Sequence, residues 1–346
     1  GGALATSSLM GFSVPENQQT KRIKREESDQ KLTADVVIIG AGLGGCAAAF
    51  SALRNNLTVV LTEETDWVGG QLTQQGVPPD EHMWIETHGA PQLYRDFRTA
   101  IRAYYKKNYP LTEQAKAVQY LNPGSGSVSK LCHEPQVAVS VLMEMMAPYI
   151  SAQKLVLLTE HKVVNAAVEK DEVRSVNVKN LRNKQMVTLS GSYFVDATEL
   201  GDLLPLTGTE YVTGTESKAQ TNELHAPDKA NPKNNQAFTM CFAIDYAPGE
   251  DWTIKKPAEY DFWKEFVPKM RIPWSGKMIG LHYSDPRTLK PKELGFHPDG
   301  RQMGSMLNLW NYRKIINREN FVPGFYKGDI TIVNWPQNDY VLGDIV

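Results

Sequence analysis

The chain has 346 residues, with 37 Lys and Arg against 39 Asp and Glu, for a formal net charge of −2. That length allows two domains and a large core, while the near-neutral balance gives no electrostatic basis for binding nucleic acid. Cys46, Cys132 and Cys241 are too few and too scattered for a disulfide framework or a zinc site, and no pair of His or Cys has a metal-ligand spacing.

Gly1 to Phe12 is small, weakly apolar and uncharged. It has the texture of the later part of a secretory leader, especially the mildly hydrophobic kind used by the twin-arginine route. It predicts export to the periplasm or beyond, with a cytoplasmic location as the alternative. Lys21-Arg22-Ile23-Lys24-Arg25 is followed at once by Glu26-Glu27 and reads as a solvated linker. Residues 1–32 therefore precede the fold. No apolar run approaches the length of a membrane span.

The fold begins at "DVVIIGAGLGGCAAAFSALRNNLTVVLTEE", Asp35 to Glu64. Val36 to Ile39 read as a strand buried on both faces of a parallel sheet. Cys46 to Leu53 is rich in Ala and Leu and favours helix. Leu57 to Thr62 reads as the next strand, completing a βαβ unit. Within it Gly40 permits the tight turn, Gly42 lets a pyrophosphate approach the backbone, and Gly45 lets helix and strand pack closely. The turn Gly40-Ala41-Gly42-Leu43-Gly44-Gly45 thus presents a helix N-terminus to an anion. Glu63 follows Gly40 by 23 residues, where a carboxylate binds ribose hydroxyls, with Glu64 as a neighbouring candidate.

A glycine pair follows in "DWVGGQL", Asp66 to Leu72. Here the chain resembles FAD-dependent oxidoreductases with the glutathione-reductase type of FAD domain, most of all a bacterial subgroup bearing that general label. The stretches "CHEPQVAVSVLMEMM", "FVDATELGDLL", "LWNYRKI" and "NWPQNDY" carry the same resemblance. It implies FAD as cofactor. It also implies that Gly69, Gly70, Gln71 and Leu72 run beside the cofactor, and that Val163 and Ala197 line it.

After a helix with Pro135 in its first turn come short runs at Leu155 to Leu158, Lys162 to Val168, Val173 to Val178 and Met186 to Leu189, with turn signals between them. A three-stranded meander followed by a strand at Tyr193 to Asp196 is how FAD folds of this type cross between strands. The expected class is α/β: a Rossmann-like FAD/NAD(P)-binding domain over 33–200, with a β-meander crossover. An α+β, substrate-facing domain would occupy 201–346. No second GxGxxG appears, and the redox cysteine pair of disulfide reductases is absent.

Ser217 to Gln236 is polar and reads as an exposed loop, and Phe238 to Tyr246 reads as a strand. The aromatics from Trp252 to Trp274 suit core or interdomain packing better than a substrate cleft. His88 in "ETHGAP" follows the Gly-Gly loop and is the candidate for proton transfer at the flavin, ahead of His282, His297 and Arg301. The expected activity is hydride transfer between FAD and a small organic substrate. An NAD(P)-only dehydrogenase and a non-catalytic dinucleotide-binding module are the alternatives. The resembled FAD domain closes with a late strand and helix; nothing after Gly201 reads as that return, so the sequence predicts an internal fragment of a longer protein.

Overall fold

A computed structural model describes residues 22–26, 30–269, 276–285 and 287–343. The leader-like Gly1 to Phe12 and Trp274 lie outside the described residues.

A seven-stranded sheet forms around the strand that the β-branched run Val36 to Ile39 dictates. β1 (Lys24–Glu26) pairs antiparallel with the start of β2 (Lys31–Ile39), so part of the segment 1–32 expected to precede the fold belongs to the sheet, because main-chain pairing with β2 is indifferent to the charged side chains. After α1 (Leu43–Arg54), β3 (Val59–Thr62) returns parallel to β2 with Val36 opposite Val59. The chain then passes through α2 (Gln92–Asn108), α3 (Glu113–Ala117) and α4 (Pro135–Ser151) before β4 (Leu155–Leu158) joins β3 in parallel. β5 (His161–Glu169), β6 (Glu172–Asn180) and β7 (Met186–Asp196) form an antiparallel meander. Its last strand is parallel to β2 on the side away from β3, giving the order β4-β3-β2-β7-β6-β5.

Alternation along β2 divides the interior. Val36 and Ile38 face a core shared with Phe50, Phe97, Ile101, Tyr105 and Met146, from α1, α2 and α4. Val37 and Ile39 face a second core closed by Val163, Val176, Val178 and Leu189 of the meander and by Leu203 of α5 (Leu203–Thr207). Both faces are dry, so each of these side chains contributes roughly 1.5–3 kcal/mol of burial.

Met186 to Leu189 and Tyr193 to Asp196, expected as two strands, are one. Ser190-Gly191-Ser192 breaks the apolar pattern, but pairing to β2 runs from Lys31 opposite Thr188 to Ile39 opposite Asp196. Gly191 fits because a Cβ there would lie 3.0 Å from Val37 Cγ2.

The expected strand at Phe238 to Tyr246 is realised as β8 (Phe242–Asp245). β9 (His282–Ser284), β10 (Pro291–Gly295) and β11 (Leu307–Asn308) form one small sheet. β12 (Lys314–Ile316), β13 (Ile330–Val333) and β8 form another, with β13 in the middle. Ile315, Ile316, Phe321 and Ile332 pack into the same core as α2 and α4, so that core extends across residue 200. Ser217 to Gln236 is largely exposed and holds one short helix, Lys218–Thr221. Among the described residues no helix is long and apolar enough to cross a membrane.

Candidate functional site

β2 and β3 end in register, Ile39 opposite Thr62, so Gly40 and Glu63 leave the sheet side by side. The glycines that follow β2 do different things. Gly40 has φ +94°, and a Cβ there would lie 2.3 Å from the carbonyl oxygen of Ala197. A Cβ on Gly45 would lie 1.9 Å from the carbonyl oxygen of Gly40. Both positions need glycine to close the fold itself. Gly42 has an ordinary φ of −60°, and a Cβ there would meet only the Glu199 carboxylate, at 3.3 Å. Its missing side chain leaves room for a ligand.

Glu63 is tied to the same turn. One carboxylate oxygen accepts the Ala41 N–H at 3.0 Å; the other accepts the Thr65 N–H and hydroxyl, each at 2.9 Å. A carboxylate has about four acceptor positions, so one remains for a ribose hydroxyl. The N-terminus of α1 has no side-chain cap, leaving its first-turn N–H groups for an anion.

These groups open on a cleft of about 400 Å³. Of the sequence candidates, Gly40, Gly42, Glu63, Glu64, Gly70, Val163 and Ala197 line it. Thr65, Gln74, Gln75, Lys162, Glu199 and Asp202 also line it and were not foreseen, although Glu199 and Asp202 stand in the quoted stretch "FVDATELGDLL". Glu64 forms an ion pair with Lys162 at 2.9 Å. Ala41 is buried and acts through its N–H, while Gly69 donates its N–H to the Ala41 carbonyl at 2.7 Å and fastens the second loop to the first. Gln71 lies on the short helical turn Gly70–Leu72, and Leu72 is part of the core. Leu43 and Gly44 face a separate apolar cleft with Phe50 and Phe97.

The arrangement fits a dinucleotide: Glu63 for the adenosine ribose, Gly42 and the start of α1 for the pyrophosphate. Glu199 is exposed, and its carboxylate lies beside Gly42 and Gly70.

His88 is exposed on the loop after the glycine pair. Its Nδ1 is 2.9 Å from the Thr87 hydroxyl, and its ring stacks on Trp84 at 6.0 Å. It is outside the dinucleotide cleft, as are His282, His297 and Arg301. Beneath the loop lies an ion network. Glu81 accepts bonds from Arg98, the Tyr94 hydroxyl (2.6 Å) and the Ser129 hydroxyl (2.8 Å), and Glu86 accepts from Arg98 and Arg102. Burial raises the Glu86 carboxyl, but the Arg102 hydrogen bond and the charges of Arg102 and Arg98 outweigh it and hold the group below its ordinary value. The network fixes the loop's shape.

Gln74 and Gln75 also line a second cleft, of about 410 Å³. It lies between Trp67, the start of α4 and the sheet β12-β13-β8, with Phe242, Ile315, Ile330 and Ile332 in its wall. Glu134, the residue before α4, lines it too and accepts the hydroxyls of Tyr105 and Tyr326, each at 3.0 Å. Sequence reading overlooked Glu134, although it stands in the quoted "CHEPQVAV" stretch.

Residues 35–346 match the family model described as FAD dependent oxidoreductase. No curated protein matches the chain. Among solved structures it is similar to the glycerol-3-phosphate dehydrogenase from Bacillus halodurans complexed with FAD (16% identity, 52% of this chain and 36% of that one, TM-score 0.31). It is also similar to adenylylsulfate reductase from Archaeoglobus fulgidus (13%, 52% and 33%, TM-score 0.32) and to L-proline dehydrogenase from P. horikoshii (18%, 50% and 24%, TM-score 0.26). The matched part spans about a third of the length of the first similar structures, 35% and 33%.

Proposed function

The chain belongs to the FAD dependent oxidoreductase family, and on that premise we propose that it holds FAD along the Gly40–Glu63 cleft and serves hydride transfer between the flavin and a small organic substrate. The observation that carries this is the Glu63–Ala41 tie beside an open Gly42. Glu63 binds the ribose, and the Gly40–Gly45 turn with the start of α1 receives the pyrophosphate. Gln74 and Gln75, shared by the two clefts, lie on the path toward the substrate side. When bound, the flavin ring supplies the hydride acceptor or donor. The protein's share is to orient and desolvate the partners. Residues 201–346 face the substrate in this reading, supported by β8, β12 and β13 in the second cleft's wall. His88 is exposed and lines neither cleft, so this reading does not rest on it.

The test is reconstitution of the purified chain with FAD, followed by anaerobic reduction with candidate substrates. Bound flavin that ADP displaces competitively is the expected result. Failure of both FAD and ADP to bind would remove the proposal. Export from a bacterial cell belongs to the same reading, supported by the uncharged, weakly apolar Gly1 to Phe12. Protease accessibility in intact cells checks it, and a protected protein would indicate the cytoplasm.

A further inference from the structure

Taking from the FAD reading only the identity of its neighbour, we propose that the second cleft binds a small, neutral, mainly apolar ligand, which is the substrate class of this protein. The volume, about 410 Å³, is in the range of small-molecule sites. Most of the wall is apolar: Trp67, Phe242, Ile315, Ile330 and Ile332 surround a ligand with surface that rewards burial and offers no hydrogen bond to a charge. The polar lining is Thr73, Gln74, Gln75, Glu134 and Gln136. Gln74 and Gln75 supply amides able to orient a hydroxyl or carbonyl, and they belong to the dinucleotide cleft as well, so a ligand anchored on them meets the cofactor's side.

Charge sharpens the class. Glu134 contributes a carboxylate to the wall, fixed by the hydroxyls of Tyr105 and Tyr326. The cations nearest in sequence to Ile315 are both neutralised in ion pairs, Arg313 with Asp80 at 3.3 Å and Lys314 with Asp329 at 3.0 Å, and the pull of Arg313 on the Cys241 thiol is opposed by Asp339. An organic anion entering here would lose its hydration against isoleucines and face a like charge. A neutral molecule of the same shape meets neither cost.

Cys241 provides a readout independent of turnover. It is half-buried in the wall of this cleft, with a thiol that burial raises and Arg313 lowers, whereas Cys46 and Cys132 are buried, with thiols that burial pushes up to about 12. Alkylation of the folded full chain therefore reports Cys241, with Cys241→Ser as the blank. Neutral iodoacetamide and anionic iodoacetate are compared, and the ratio of their rates is set against that for glutathione. The expected ratio is at least about tenfold larger for the protein, and Glu134→Gln lowers it several-fold. Cyclohexanecarboxamide should slow alkylation and its near-isosteric anion, cyclohexanecarboxylate, should not. A ratio equal to that of glutathione, or protection by the carboxylate, overturns the proposal. Loss of FAD binding alone would leave these rates standing and would count only against the cofactor assignment.

Discussion

The Glu63 carboxylate accepts the backbone N–H of Ala41 at 3.0 Å, bridging the end of one parallel strand to the turn that follows its neighbour. The acid is thus a brace for the glycine turn, and in the proposed FAD reading it is also the ribose ligand. Thr65 holds its other oxygen through two bonds of 2.9 Å, so the side chain is oriented before any ligand arrives. Preorganisation of this kind lowers the ordering cost of binding.

Replacing Glu63 with Ala should weaken FAD binding by roughly 10- to 100-fold, or about 1.5–3 kcal/mol, because charge-assisted hydrogen bonds are lost at a half-buried position. Glu63→Gln keeps one acceptor oxygen and should fall between. Titration by flavin fluorescence measures this, and unchanged affinity in both variants would move the ribose contact elsewhere.

The motif glycines should separate into two classes. Gly42→Val should fold, since the nearest obstacle to a Cβ is the end of the flexible Glu199 side chain, yet it should lose FAD because the side chain fills the path of the pyrophosphate. Gly40→Ala should instead destabilise the protein, by on the order of 2–5 kcal/mol, through a strained positive φ and a clash with the Ala197 backbone. Denaturation curves and flavin content together distinguish them. A flavin-loaded Gly42→Val protein would contradict the assignment.

The buried ion network should be intolerant of half-removal. Arg98→Met leaves Glu81 and Glu86 short of their shared cation where side chains are 3% and 17% exposed. The expected cost is about 3–5 kcal/mol. Arg98→Lys should recover only part of it, because one ammonium cannot reproduce a guanidinium reaching two carboxylates. Urea denaturation checks both variants.

His133 should make stability depend on pH. Its Nδ1–H donates to the Glu134 carbonyl at 2.9 Å, while Nε2 is buried with no partner. Burial pushes the imidazole down from its ordinary 6.5 to about 4. In the unfolded chain it takes up a proton as pH falls through about 6.5, and in the folded one only near 4. Its contribution is therefore present above pH 6.5 and is lost progressively toward pH 4, by up to about 3 kcal/mol. His133→Gln should flatten the curve between pH 7 and 4.5. A wild-type curve already flat over that interval would contradict the burial of a neutral ring. Glu86, held below its ordinary value, adds an acid loss at lower pH, because its stabilisation is present above the unfolded value and disappears as it protonates.

Local signals carried much of the nucleotide half. Val36 to Ile39, the glycine turn and Glu63 each depend on neighbours close in sequence, so spacing alone places them in a βαβ unit. Spacing did not reveal which glycine serves what. Gly40 is required by the Ala197 backbone, more than 150 residues away, and Gly42 only by the open space before it. The split prediction for β7 failed for a similar reason: Gly191 reads as a break locally, while pairing with the whole of β2 carries the strand through it.

His88 shows where proximity in sequence stops informing. It follows the glycine pair closely, yet the buried Glu81, Glu86, Arg98 and Arg102 network holds its loop so that the ring is exposed beside Trp84. The second cleft was illegible for the opposite reason. Gln74 and Gln75, Glu134, and the strands β8, β12 and β13 come from distant parts of the chain. What the sequence determined by itself is the βαβ unit with its glycine turn and adjoining acid, because period, propensity and positive-φ chemistry act over a few residues. What only the tertiary structure decided is which residues face a ligand together, because long-range packing sets that through contacts no local pattern encodes.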